Sequence, residues 1–319
     1  MQRYILRRLL LFVPSLLGAS MLIFVLLRII PGDVAAVILA GASGEANYTE
    51  EQRLALHREL GLDRPLHVQY GRWLWSALQG DFGRSYTQRR PVAHIIRERF
   101  PVTLQLTFFS FAVIVLTAVP IGIVAAARQD TALDYVLRSI AILGLAAPSF
   151  WIGVLIVLIL SIFFRWLPPI GFTDLWQDPL RSAQQLIFPA LALGFALNGY
   201  LLRMTRGQLL EVLREDYIRT ARAKGLQERL VLLRHAVRNA LLPVVTVAGF
   251  LMALLLSGSV AIELIFNLPG MGQALISAVH SRDLPVIEAF VLLTAGLYLS
   301  INLAVDLTYA WLDPRIRYE

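Results

Sequence analysis

Cysteine is absent from this 319-residue chain, which excludes disulfides, zinc–thiolate centres and thiol catalysis. Lysine is nearly absent: Lys224 is the single one, and every other side-chain ammonium or guanidinium is Arg. Charge as a whole is scarce, at 16% of residues, where soluble domains carry about 25%. No Gly-x-x-x-x-Gly-Lys-[Ser/Thr] phosphate loop occurs, so the chain by itself is not a P-loop ATPase, and neither His-Glu-x-x-His nor Gly-x-Ser-x-Gly is found. The five histidines, His57, His67, His94, His235 and His280, are not spaced as metal-ligand pairs, so no catalytic or metal site is expected. Acids in or at the ends of the apolar stretches are few: Glu263, Glu288 and Asp306. They form no row that would carry protons. Glu263 and Glu288 fall near stretch ends, where water is expected to reach them, and Asp306 is expected near an arginine.

What is abundant is apolar sequence, 57% of residues. A helix needs about 20 apolar residues to cross roughly 30 Å of hydrocarbon. Six stretches qualify or nearly so: Leu9–Ile30, Leu104–Ala127, Ile140–Phe164, Leu186–Leu202, Ala240–Ala261 and Val286–Trp311. The expected fold is an all-α integral membrane protein. Pro120, Pro148, Pro189 and Pro243 fall inside these stretches, which favours a packed bundle whose neighbouring helices satisfy the freed backbone groups. The first stretch begins with Arg3, Arg7 and Arg8 and has small residues at Gly18-Ala-Ser20, but it is longer than a signal-peptide core. An uncleaved first helix is therefore expected.

Basic residues in short loops set orientation. They cluster at the N-terminus, at Arg128 and Arg138, between the fourth and fifth stretches, and at Arg315 and Arg317. With six spans all four clusters share one side, which places that side and both termini in the cytoplasm. Residues 31–100 then form an external insertion. In it Thr49-Glu-Glu-Gln52 has the form of a capping box, the helix it starts is expected to stop at Gly61, Val68–Leu78 is a second candidate helix, Gly80-Asp-Phe-Gly83 reads as a turn, and Pro91–Phe100 as a short helix. The aromatic cluster Tyr70, Trp73 and Trp75 has two readings, an interfacial belt or local core and a docking surface for an external partner.

The basic cluster between the fourth and fifth stretches, residues 203–239, holds nine bases and four acids. Leu209, Leu213, Tyr217 and Ala221 recur every four residues, as one helical face does. Gly225 is suited to a left-handed stop. Beyond it Leu230, Leu233 and Val237 restart an apolar stripe. The product is two amphipathic helices about a sharp turn. An interfacial helix on anionic lipid, a protein-docking helix and a nucleic-acid contact are the three readings of this pattern; the absence of an aromatic stacking pair weighs against the last.

The chain resembles, nearly end to end, the inner-membrane permease subunits of the dipeptide/oligopeptide/nickel class of bacterial ABC importers. The resemblance is carried by Arg7-Arg8, Pro31-Gly-Asp33, Leu60-Gly-Leu-Asp-Arg-Pro65, Gln69-Tyr-Gly-Arg-Trp73, Gly80-Asp-Phe-Gly-Arg-Ser85, Pro148-Ser-Phe-Trp151, Asp216–Gly225, Arg234-His-Ala-Val-Arg-Asn239, Pro269-Gly-Met-Gly272 and Asp313-Pro-Arg315. In such permeases the cytoplasmic segment is the EAA loop, whose short helix fits a cleft on the ATPase subunit. Here Arg219-Thr-Ala221 stands where Glu-Ala-Ala would be, Ala240 replaces an Ile, and Gly225 and Pro243 are 18 residues apart, the longer form of the peptide subclass.

The resemblance implies a six-transmembrane-helix bundle of the type I importer (MetI-like) kind, with helix 1 in residues 1–30, a partly helical periplasmic insertion in 31–100, the permease core in 101–312 and a cytoplasmic tail in 313–319. It implies ATPase coupling through Asp216, Tyr217, Arg219, Thr220, Ala221, Arg222, Ala223, Lys224, Gly225 and Leu226. The implied partners are a second homologous permease, two ABC ATPase subunits that hold the ATP and Mg, a periplasmic solute-binding protein and membrane lipid, without nucleic acid. The implied cargo is peptides or similar small solutes, and no cofactor belongs to this chain. Ser149, Asn198 and Glu263 are the polar candidates for the translocation path. An ion-coupled secondary transporter is the alternative, and it would need an ion or proton site that the few acids are poorly placed to form.

Overall fold

The structure, a computed structural model, describes residues 2–29, 34–40, 48–59, 61–169 and 171–312. Thirteen α-helices follow one another among these residues: α1 (Gln2–Ile29), α2 (Val34–Ala40), α3 (Glu50–Glu59), α4 (Leu66–Leu78), α5 (Val92–Ala127), α6 (Ala132–Ala146), α7 (Ser149–Phe164), α8 (Pro179–Leu213), α9 (Asp216–Ala223), α10 (Glu228–Leu230), α11 (Val237–Ile265), α12 (Met271–His280) and α13 (Leu284–Leu312). A π-helical turn, Val231–Ala236, joins α10 to α11. Five helical stretches are long and apolar enough to cross a membrane: Arg8–Ile29, Val92–Ala127, Pro179–Leu213, Glu228–Ile265 and Leu284–Thr308. The pair α6 and α7, bent by 103°, makes a sixth if the two count as one broken span.

That bend departs from the single span expected over Ile140–Phe164. Pro148 disfavours helical angles in the residue before it. Ala147 accordingly adopts φ −92°, ψ 125°, and helix restarts at Ser149. The expected short helix at Pro91–Phe100 is instead the first part of the 36-residue α5. The fourth stretch likewise extends well beyond Leu186–Leu202. α8 starts at an Asp178 cap, whose side chain accepts from Arg181 N (3.1 Å), with Pro179 in the first turn. Both residues favour a helix start.

The chain divides into two compact units. One comprises residues 1–6, 102–268 and 300–319. Here α8 packs against α6, α7 and α11, around a core that includes Leu106, Ile114, Leu186, Leu193, Leu201, Leu251, Leu255 and Phe266. α6 and α8 approach so closely that a Cβ on Gly199 would overlap the Ala141 carbonyl. A buried ion pair ties the same two helices. Arg206 Nε and Nη2 donate to Asp134 Oδ1 (2.8 Å) and Oδ2 (2.7 Å). The Asp134 carboxylate is fully buried and also accepts from Asp130 N at 3.1 Å. Gln105 binds the segment before α8: its Nε2 donates to Asp174 Oδ1 (3.0 Å) and its Oε1 accepts from Leu175 N (3.0 Å).

The other unit comprises residues 7–101 and 269–299. Val92, Ile95, Met271, Val286 and Phe290 are among its core residues. The capping box expected at the start of α3 is formed: Gln52 N donates to Thr49 Oγ1 and Thr49 N to Gln52 Oε1. Gly61 stops α3 with φ +66°, its N–H donating to Arg58 O and that of Leu62 to His57 O. The 80–83 turn has left-handed glycines at both ends. The next loop is held by Asp283, 2% exposed, whose carboxylate accepts from Ser85 Oγ, Tyr86 N (3.1 Å) and Thr87 N (3.2 Å). Tyr86 packs beside it, and burial first, then the nearby Glu288 carboxylate, pushes its phenol up to about 12. Arg28 donates to Glu288 at 2.7 Å and lies 4.4 Å over the Phe24 ring.

Candidate functional site

The basic segment between α8 and α11 is built on a small apolar seat. Ile218 is fully buried and Ala221 nearly so, among Ala126 of α5, Leu209 of α8, Val231 and Ala236 of the π turn, and Ala240 of α11. Asp216, Tyr217, Arg219, Thr220, Arg222, Ala223, Lys224 and Gly225 are exposed around those two anchors, and Leu226 is half-buried. The seat differs from the expected stripe. Leu209, Leu213 and Ala221 of that stripe are in the cluster, but α8 stops at Leu213 and α9 starts afresh at Asp216, so the stripe is shared by two helices and Tyr217 falls out of it. Ile218, not Tyr217, faces inward.

The second stripe is displaced for a separate reason. Leu230 and Leu233 are exposed, and Val231, Ala236 and Ala240 are buried. Their spacing is five, then four. A π turn has i→i+5 hydrogen bonds, so it advances each residue by less than the usual 100° and rotates the inward face.

Gly225 ends α9 as expected. Its φ is +78°, Gly225 N donates to Arg222 O (2.9 Å), and Leu226 N reaches back to Ala221 O (3.4 Å). These are the two bonds of a Schellman stop. Two ties brace the turn. Arg222 Nη2 and Nε donate to Glu228 (2.6 and 3.0 Å), and Asn239 Nδ2 donates to Tyr217 Oη at 2.8 Å. The first holds the Arg222 guanidinium more firmly protonated. Arg219 pairs with Asp216 at 3.3 Å, both fully in solvent reach, a contact worth about 0–1 kcal/mol. A depression of about 530 Å³ opens beside α9, lined by Gly207, Leu210, Glu211, Arg214, Glu215 and Asp216. Of the nine bases in 203–239, Arg206 alone is withdrawn from the exposed surface, by its pairing with Asp134. Sequence spacing carried no signal for that pair.

The three polar path candidates have separate surroundings. Ser149 opens α7 behind the bend. Asn198 donates to Thr117 Oγ1 at the edge of a cavity of about 210 Å³ whose other walls include Val113, Ile121, Ile140, Leu191 and Phe195. Glu263 accepts from Thr103 Oγ1 at 2.7 Å. Glu263 is 0% and Glu288 5% exposed, so neither carboxylate is in the water expected there: each lies among packed helices with a donor side chain at hydrogen-bond distance.

Among the described residues the chain is nearly all helical, with five stretches long and apolar enough to cross a membrane, or six if the bent pair α6–α7 is one span, and the short capped helix α9 lies between α8 and α11. Residues 118–318 match the family described as binding-protein-dependent transport system inner membrane component. Residues 1–107 match the N-terminal region of the same kind of component. A protein of Brucella abortus (strain 2308), named for a peptide transport system permease, is 42% identical over 319 residues, all of both chains. The glutathione transport system permease protein GsiC of Salmonella typhi is 44% identical over 320 residues, again all of both chains. The chain belongs to the binding-protein-dependent transport system inner membrane component family, the permeases of ABC importers, and is a multi-pass inner-membrane protein.

Proposed function

We propose that this permease carries peptides or peptide-like solutes such as glutathione inward, and that α9 with Gly225 is the handle through which separate ATPase subunits drive it. The substrate class is that named for the Brucella and Salmonella relatives. The complex would pair this chain with a second homologous permease, two ATPase subunits holding ATP and Mg, and an external solute-binding protein. Both termini and residues 203–239 would lie in the cytoplasm and residues 31–100 outside. ATP-driven closure of the ATPase dimer would move α9, and the bundle would switch between inward-facing and outward-facing states. Solute shifts that balance only by its difference in affinity for the two. Ser149, Asn198 and Glu263 remain the proposed polar points of the path.

The observation that carries the coupling role is the mounting of α9. Eight residues are too few to hold a helix in water, yet two inward side chains, a Schellman stop and the Arg222–Glu228 tie hold this one with most of its surface free. Shape fit at Ala221, Ala223 and Leu226 is expected to matter more than the exposed charges. Because the chain has no cysteine, Ala223→Cys supplies a unique attachment point. A short bifunctional crosslinker on the purified complex is expected to join position 223 to an ATPase subunit, with a yield that changes when ATP is trapped. Adducts to phospholipid alone, in a complex that retains its ATPase, overturn the assignment.

A further inference from the structure

The external insertion contains a helix whose contacts fall at membrane depth. Tyr70 Oη meets Ser20 Oγ at 2.8 Å and Leu17 O at 3.4 Å. The Tyr70 and Trp73 rings lie 5.5 and 5.9 Å from that of Phe24, and Gln69 Oε1 accepts from Arg28 Nε at 3.4 Å. Every one of these partners belongs to α1, within the stretch Arg8–Ile29 that is apolar enough to span. At 1.5 Å per residue, Phe24 stands about 24 Å along the helix from Arg8 and about 7 Å short of Ile29. With about 30 Å of hydrocarbon, that height is just inside the outer boundary of the bilayer core.

α4 is also two-sided. Gln69, Arg72, Ser76 and Gln79 recur at three- and four-residue steps and form one polar stripe. Leu74 and Leu78 lie on the opposite flank. Tyr70 and Trp73 face α1, and Trp75 and Leu78 are turned away from it, 64% and 72% exposed. Met21, Leu22, Val25 and Leu26 of α1 are likewise exposed, so both helices carry uncovered apolar side chains. Trp is the residue that favours the headgroup boundary, and an amphipathic helix with an apolar flank settles in that plane.

Resting on the membrane-spanning reading of α1, we propose that α4 lies in the outer lipid interface, with Trp75 and Leu78 seated among outer-leaflet phospholipid and Arg72 and Gln79 facing water. The surface holds the insertion at a fixed height against the bilayer. The test uses the assembled transporter in nanodiscs of phosphatidylcholine and phosphatidylglycerol. Spin labels go on Trp75→Cys, Leu78→Cys, Arg72→Cys and Gln79→Cys, with Leu22→Cys as the membrane reference. Positions 75 and 78 should shift to the oxygen-over-nickel accessibility of position 22, and positions 72 and 79 to the reverse. Independently, brominated acyl chains should quench the unlabelled protein more than Trp75→Tyr. Nickel-favoured collisions at 75 and 78, or quenching unchanged by Trp75→Tyr, overturn the proposal. So does shielding at 75 and 78 that requires the solute-binding protein, which would make this a protein-docking face. A water-exposed label at position 22 would instead refute the spanning of α1, a separate failure.

Discussion

Replacing Gly225 separates strain from bulk at the end of the handle. Its φ of +78° is one that side chains on Cβ disfavour, yet nothing stands within 4 Å of where that Cβ would be. The cost in the free chain is therefore conformational alone. Left-handed helical angles cost an L-residue about 1–2 kcal/mol, less for Asn, whose side chain bonds locally, and more for β-branched residues. That range is roughly a 5- to 30-fold shift between a stopped and a frayed helix end, but a small part of the 5–15 kcal/mol that folds a typical domain. The variants Gly225→Asn, Gly225→Ala and Gly225→Val should all reach the membrane in normal amount. In proteoliposomes with the binding protein present, solute moved per ATP hydrolysed should fall in the order Gly, Asn, Ala, Val, with Val losing most of its coupling. Normal transport by Gly225→Val refutes the role of the stop. An order that follows side-chain volume, with Asn worse than Ala, refutes the strain account and shows that a docked partner crowds the position.

Two further perturbations test the ties within each unit. Asp134→Ala leaves the mostly buried Arg206 guanidinium without its carboxylate and should cost about 3–5 kcal/mol, whereas Asp134→Leu with Arg206→Met should recover most of it; thermal unfolding in nanodiscs reads both, and equal losses in the two would refute the buried-charge account. Asp283→Ala removes the acceptor of the Ser85 hydroxyl and of two loop N–H groups, at about 1–3 kcal/mol for each donor left buried; limited proteolysis between residues 80 and 91 should speed up, and an unchanged cleavage rate would show that the loop is held by other contacts.

Local chemistry was legible in the sequence. Thr49 and Gln52 cap each other as their spacing predicts, and Gly61 and Gly225 both stop helices in left-handed angles. These features depend on neighbours a few residues away. The misread features do not. The stripe through Leu230 and Leu233 assumed a constant helical advance, and the π turn replaced them with Val231 and Ala236. The bend at Ala147 follows from Pro148, but Pro189 and Pro243 sit inside unbroken helices, so proline alone did not say which span would break. Arg206 meets Asp134 across 72 residues and Ser85 meets Asp283 across 198. No periodicity encodes such a pair, and buried Glu263 was misplaced because its Thr103 partner lies 160 residues away.

In the proposed mechanism these long-range ties decide where a pull on α9 goes. Its seat is made by three other elements at once: the end of α5 at Ala126, α8 at Leu209, and the π turn with α11 at Val231, Ala236 and Ala240. Arg206 is one helical turn before Leu209 on α8, and through Asp134 it fixes α8 to the first turn of α6. A displaced α9 therefore loads four helices, three through packing and one through an ion pair. Close-packed helices pass such a load on with little give. Regular helix resists bending, because each residue is locked by its i→i−4 bond. The regular ladder is interrupted in this unit by the bend at Ala147–Pro148 and by the π turn, and Pro120, Pro189 and Pro243 each lack the N–H for one i→i−4 bond. Motion is expected at the bend and the π turn, where the regular i→i−4 geometry is already replaced. The π turn that displaced the apolar stripe would then be the flexible joint next to the handle, and the α6–α7 bend its counterpart at the far end of the ion-paired helix.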